Sequence, residues 1–287
     1  MAVRPRRSAL YMPASNPRAV EKARALDCDV VILDLEDAVA PDVKADARAA
    51  AVAAVAAGGF GRRELVVRAN GIDTPWGFDD LAALAAARPD AVLVPKVDDG
   101  AAVARHAAAL AGAAPLWVMI ETARSIFRLE EIAVALADAG PGGGFVLGTN
   151  DLINDTGIKP GHDRAPLLPW LSRVVLAARS SGLFVLDGVH NAFDDEEGFE
   201  SECRQGRAFG MDGKTIIHPN QIATANRIFA PEPEEVAEAK SILEAFELPE
   251  NRNRGAIALN GRMVERLHAR AASRLIALDE AIRNRAQ

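Results

Sequence analysis

Cysteine is scarce in this chain. The two present, Cys28 and Cys203, form no metal-ligand spacing and no disulfide framework. That excludes the small cross-linked secreted folds and suits a reducing cytoplasm. A basic excess is also lacking: 33 Lys and Arg face 40 Asp and Glu, for a net charge of −7, so nucleic acid is not an expected partner. No apolar run approaches the ~18 residues that a spanning helix needs. The short apolar run near the start is broken by Pro13, so neither a signal peptide nor a membrane anchor is expected. The first strand is followed by Pro13-Ala14-Ser15-Asn16-Pro17 rather than a Gly-rich phosphate turn, which sets aside the dinucleotide-binding sheet. The expectation is a cytoplasmic, globular protein.

What is present is alternation. Short apolar runs occur at Ala9–Met12, Val30–Leu33, Leu65–Val67, Ala91–Val94, Leu116–Ile120, Phe145–Leu147, Leu183–Leu186 and Thr215–Ile217. Amphipathic or Ala-rich segments separate them, among them Val43–Ala57 and Glu196–Phe209. Strands alternating with helices in this number predict an α/β fold, a (β/α)₈ TIM-type barrel over residues 1–229. After Phe229 the breaker cluster Ala230-Pro231-Glu232-Pro233 opens a different region. Residues 230–287 read as a small helical lid, with helices over Glu234–Phe246 and Met263–Ile282 and a polar loop between them. Such a piece is too short for a large core of its own and is expected to contact a neighbouring subunit.

In a barrel of this kind, chemistry gathers at the carboxyl ends of the strands. The run Leu116–Ile120 ends in Glu121, and Phe145–Leu147 leads through Gly148-Thr149-Asn150 to Asp151. Two strand-end carboxylates at one mouth outline a divalent-metal site, with helix capping as the alternative role for Glu121. The second strand runs into Asp34, Glu36 and Asp37, three carboxylates that repel one another unless a cation is near. Arg68 ends the third strand as its only expected charge; it suits a bidentate grip on a substrate carboxylate, a salt bridge to Asp34 or Glu36, or both. Lys96 is read as charge balance or orientation, Asp187 as a further rim acid, Lys214 as a flank of the eighth strand, and His190 and His218 as structural.

These pieces together resemble the citrate lyase β-subunit family, within the group of malyl-CoA lyases and HpcH/HpaI-type aldolases. The matching stretches are R-S-A-L-Y-M-P-A from Arg7, L-D-L-E-D-A-V from Leu33, V-R-A-N from Val67 and V-P-K-V from Val94. They continue with I-E-T-A from Ile120, G-T-N-D-L from Gly148 and F-G-M-D-G-K-T-I-I-H-P-N-Q from Phe209. The resemblance implies Mg²⁺ on Glu121 and Asp151, with Arg68 on a keto-acid carboxylate. It also implies a CoA thioester over the end of the first strand near Arg7. Homotrimers or dimers of trimers, with the C-terminal lid reaching into the neighbour's site, follow from it too.

One stretch departs from the family. The family's lid carries Asp-Gly-Lys-Met, whose Asp is an acid/base, whereas here Asn260-Gly261-Arg262-Met263 stands in that place. An amide cannot act as a general base near neutral pH. With Asn260 there, Glu36, Asp37 or a metal-bound water are the candidates for the base. The sequence reading is therefore a Mg²⁺-dependent carbon–carbon lyase acting on a malyl-, citramalyl- or citryl-type thioester of CoA or an acyl carrier, releasing or condensing a keto acid. Its alternatives are a malyl-CoA-type thioesterase, an aldolase on a free acid and a catalytically impaired metabolite-binding homologue.

Overall fold

A computed structural model describes residues 3–285. It divides into two compact units, Arg6–Arg227 and a second made of residues 3–5 with 228–285. The bounds 1 and 287 expected for the two regions lie outside the described residues.

The first unit is a closed parallel barrel in which each strand pairs with the next in sequence and the last with the first. Its strands are β1 (Ser8–Pro13), β2 (Val30–Asp34), β3 (Glu64–Arg68), β4 (Ala91–Val94), β5 (Leu116–Ile120), β6 (Gly144–Leu147), β7 (Phe184–Asp187) and β8 (Gly213–Ile216). Their sequences are continuous apolar runs because both faces are covered, the inner by the barrel interior and the outer by helices. Side chains that alternate along each strand fill the interior: Ala9 on β1, Ile32 on β2, Val66 on β3, Leu93 on β4, Trp117 and Met119 on β5, Leu186 on β7.

The amino-terminal end of the barrel is plugged. Arg6 pairs with Glu64 through two hydrogen bonds of 2.7 and 2.9 Å, and its guanidinium lies 4.0 Å from the Phe184 ring and 5.0 Å from that of Trp117. Glu64 is thus a second charge on β3, which the sequence reading had given to Arg68 alone. Gly144 makes room for this stack, since a Cβ there would collide with the Phe184 ring.

The second unit holds the helix Pro233–Glu247, an antiparallel hairpin of β9 (Ala256–Leu259) and β10 (Arg262–Glu265), and the helix Arg266–Arg285. The hairpin corrects the expected helix start at Met263. Asn260 and Gly261 take φ of 50° and 75°, the left-handed pair that a two-residue hairpin turn requires. Ile257 and Val264 from the hairpin pack with Phe246 into a small core. Among the described residues no helix is long and apolar enough to cross a membrane.

Candidate active site

Charged side chains end β2 and β3 and follow β5: Asp34, Arg68 and Glu121. The residue after Leu33 in β2 is Asp34, which the barrel register sets beside Arg68 of β3. Asp34 takes the Arg68 fork through Nε and Nη2, both at 2.6 Å. Its same two oxygens accept the backbone amides of Glu36 and Ala38, at 2.9 and 3.0 Å. The loop after β2 is thereby folded over its own strand end, and buried Lys44 fastens it further by donating to the carbonyls of Leu35 and Glu36 at 2.9 Å each.

Arg68 therefore spends its bidentate face on Asp34. Its remaining nitrogen, Nη1, lies 2.8 Å from Glu36 Oε2 and 3.3 Å from the exposed carboxylate of Asp37. Burial works against the Arg68 charge, but the Asp34 hydrogen bond and the surrounding anions outweigh it and raise the pKa well above its ordinary value.

Glu121 follows β5 and is 1 % exposed. Its Oε1 accepts the backbone amide of Lys96 at 2.6 Å, and Lys96 adopts a left-handed φ of 53° there. The Lys96 ammonium turns to Glu36 Oε1 at 2.9 Å. Gly148 packs against the Glu121 carboxylate so closely that a Cβ would collide with it. Burial, then the charges of Asp151 and Glu36, push the Glu121 pKa up to about 8. Burial likewise raises that of Glu36, with Arg68 and Lys96 pulling the other way. Asp151 enters on the first turn of the helix Thr149–Thr156, where the positive end of the helix dipole favours an acid.

A cavity of about 310 Å³ opens beside these groups, lined by Asp34, Asp37, Arg68 and Asp151 together with Tyr11, Met119, Asn150 and Asn191; Glu121, Glu36 and Lys96 lie behind its lining. The donor set suits a Mg²⁺ ion. That ion commonly takes one or two carboxylates and fills its octahedron with water and substrate oxygens. A buried carboxylate raised by a like-charged neighbour is what a dication would relieve. Among the described residues no group of three or more His, Cys, Asp or Glu forms a denser protein cage.

The other residues singled out in the sequence lie elsewhere. Arg7 precedes β1 and Asp29 precedes β2, so both sit at strand starts, at the end of the barrel opposite this cavity. There Arg7 is buried and holds Asp29 at 2.8 and 2.9 Å, which corrects its expected place at the end of the first strand. Asp187 is not a rim acid. It is fully buried between the barrel and its helices, bound to Arg164 and Lys214 at 3.0 Å. Lys214 also reaches Glu202 at 2.8 Å, and Glu202 takes His190 Nδ1 at 3.0 Å. His218 stacks on Phe193 at 5.1 Å. Asn260 belongs to the second unit, at its hairpin turn.

Sequence reasoning passed over Tyr11, Asn150 and Asn191. Period-two alternation on β1 would have placed Tyr11 on the same inner face as Ala9. The two amides pair reciprocally at 3.1 and 2.8 Å, Asn150 from the first turn of the helix Thr149–Thr156 and Asn191 from a loop, where no periodicity speaks.

Comparison with known proteins fits this geometry. A model of the HpcH/HpaI aldolase/citrate lyase family matches residues 7–219. A (3S)-malyl-CoA thioesterase of Cereibacter sphaeroides is 46 % identical over 278 residues, covering 97 % of this chain and 96 % of that protein. An L-malyl-CoA/beta-methylmalyl-CoA lyase of the same species is 37 % identical over 291 residues, covering 91 % of each. Among solved structures, CitE from Mycobacterium tuberculosis in complex with magnesium, acetoacetate and coenzyme A is 32 % identical. It covers 95 % of this chain and 97 % of that one, with a TM-score of 0.75.

Proposed function

This chain belongs to the HpcH/HpaI aldolase/citrate lyase family, and from that premise we propose that it is a Mg²⁺-dependent enzyme that hydrolyses a malyl-type CoA thioester. The observation that carries the choice of hydrolysis is the 46 % identity, nearly end to end, with a (3S)-malyl-CoA thioesterase, against 37 % with a lyase. The order of the two reactions read from the sequence is thereby reversed.

Glu121 and Asp151 would hold the metal, which supplies Lewis acidity toward substrate oxygens when bound. Arg68 would offer Nη1 to the acid's carboxylate, with exposed Asp37 giving way as the substrate enters. The Asp34 fork keeps the guanidinium plane fixed while this happens. Glu36 lies between Arg68 and Lys96, and burial raises its pKa above the ordinary value, which makes it the candidate to accept a proton from water. Lys96 orients both Glu36 and Glu121.

Carbon–carbon cleavage is the second reading, favoured by the lyase relative and by a site whose ligands serve either reaction. Incubation of the protein with (3S)-malyl-CoA and Mg²⁺ separates the two. Malate and free CoA are expected; glyoxylate and acetyl-CoA would establish the lyase, and neither pair would overturn both. A homotrimer or a dimer of trimers is part of this proposal, and light scattering on the purified protein reads it.

A further inference from the structure

Tyr11 is the one tyrosine of the chain. Its ring lines the cavity, packs on the barrel interior and lies 5.0 Å from the Arg68 guanidinium. Its hydroxyl is shielded from solvent and has no hydrogen-bond partner among the described residues. A buried hydroxyl without a partner is costly, and a phenylalanine would make the same ring contacts without that cost.

No acceptor among the described residues takes the Tyr11 proton. Asp34 gives both oxygens to Arg68 and to two backbone amides. Glu121 Oε1 is taken by the Lys96 amide and Glu36 Oε1 by the Lys96 ammonium, while Glu36 Oε2, without a hydrogen bond of its own, lies 2.8 Å from Arg68 Nη1 in an ion pair. The acceptor that would complete Tyr11 is thus one that arrives with a ligand. Arg68, on whose guanidinium the ring lies, draws an anionic oxygen to the same place.

We propose that the Tyr11 hydroxyl donates a hydrogen bond to the carboxylate of a bound short 2-oxo or 2-hydroxy acid, the same carboxylate that Arg68 Nη1 approaches. Tyr11 and Arg68 then select the acid together, one as a neutral donor and one as a charge. This rests on the reading of the cavity as an acid-binding site. Burial pushes the phenol's ionisation above its ordinary value, which favours the protonated, donating form.

A single tyrosine makes the test direct. Protein grown with 3-fluorotyrosine carries one fluorine reporter, at Tyr11. With Mg²⁺ present, adding pyruvate is expected to shift that ¹⁹F resonance, and adding the neutral pyruvamide is not. Tyr11→Phe is expected to weaken pyruvate binding by about 10- to 100-fold, the loss typical of a hydrogen bond to a charged group. Its affinities for Mg²⁺ and free CoA should remain near wild type, and its unfolding midpoint without ligand should be equal or higher, whereas a purely structural role for the hydroxyl would lower it. Calorimetry that finds pyruvate bound with no ¹⁹F shift, or bound equally well by Tyr11→Phe, overturns the role of Tyr11 while leaving the acid site standing. Absence of pyruvate binding to the wild type at saturating Mg²⁺ overturns the acid site, and Tyr11 with it. Should Tyr11→Phe fail to fold, the fluorine titration of the wild type decides alone.

Discussion

The backbone amide of Lys96 donates to the Glu121 carboxylate at 2.6 Å, and it does so from a left-handed conformation. A side-chain-bearing residue pays for that φ, while its own ammonium holds Glu36. One residue thus aims two carboxylates, one with its main chain and one with its side chain.

The strain at Lys96 is measurable by comparing two truncations. Lys96→Ala and Lys96→Gly both lose the Glu36 contact and keep the amide, but only glycine relieves the left-handed backbone. Lys96→Gly is expected to be more stable than Lys96→Ala by about 1 kcal/mol, read from urea midpoints. Equal midpoints would show that no strain is stored there.

Mg²⁺ binding should depend on pH through Glu121. Its pKa is raised to about 8, so at lower pH the carboxyl is protonated and must release its proton to bind the ion. The affinity therefore climbs as pH rises, by up to about tenfold per unit for one proton, and levels off once the carboxyl is ionised. Calorimetry in buffers of different ionisation heat counts the proton. Glu121→Gln should lose both the binding and the pH dependence.

Asp34 and Arg68 form a buried pair, and removing one partner strands the other. Asp34→Asn is expected to destabilise the protein in denaturant unfolding, by less than the ~3–5 kcal/mol of a fully stranded charge, since Glu36 and Asp37 still face the guanidinium. Arg68→Lys should weaken pyruvate binding, because a point charge cannot hold Asp34 with two nitrogens and still present a third to the substrate. Unchanged binding in Arg68→Lys would remove Arg68 from the acid site.

Acid stability should trace to Glu202, behind β7 and β8. Burial opposes its charge, but Lys214 and Arg164 outweigh burial and hold its pKa down to about 2, from an ordinary 4.5. A depressed folded pKa contributes stability above the unfolded value, and that contribution is lost as pH falls toward about 2. Wild type should therefore exceed Glu202→Gln in stability near neutral pH, and the gap should close on acidification. A gap that stays constant with pH would place the effect in packing instead.

Asn260 sits in a turn that Asp tolerates equally well, so Asn260→Asp leaves the hairpin intact. If the family's lid carboxylate transfers the proton in the lyase reaction, the substitution should raise glyoxylate release from malyl-CoA. The ceiling is the ~10²–10⁴-fold typical of a positioned acid/base. Pyruvate affinity should not change. An inert Asn260→Asp would show that this position carries no proton.

The eight strands were legible because each is buried on both faces and so appears as an unbroken apolar run. The placement of Arg68 at the end of β3 and of Glu121 just after β5 was legible because the carboxyl end of a strand in a barrel of this type is a known address. Two things were hidden. The ends of a strand look alike in sequence, so Arg7, a charge at the start of β1, was assigned to the wrong end of the barrel. Orientation about the strand axis was hidden as well: Asp187 ends β7 as Glu121 follows β5, yet it faces the outer helices, and two cations there, Arg164 and Lys214, absorb it. The Asn260-Gly261 hairpin was readable in principle, since that dipeptide is a strong turn signal, but the apolar residues around it also fit a helix.

The Arg6 plug under Trp117 and Phe184 has a kinetic consequence. A barrel stopped at its floor is a cul-de-sac, and whatever leaves must go back the way it came. In the proposed reaction the acid, held beside Arg68, would not depart past a CoA chain still lying in the opening. Release would then be ordered, with the thiol or acyl-CoA first and the acid last. The acid would be the product that competes with substrate for free enzyme, and CoA would inhibit in a different pattern.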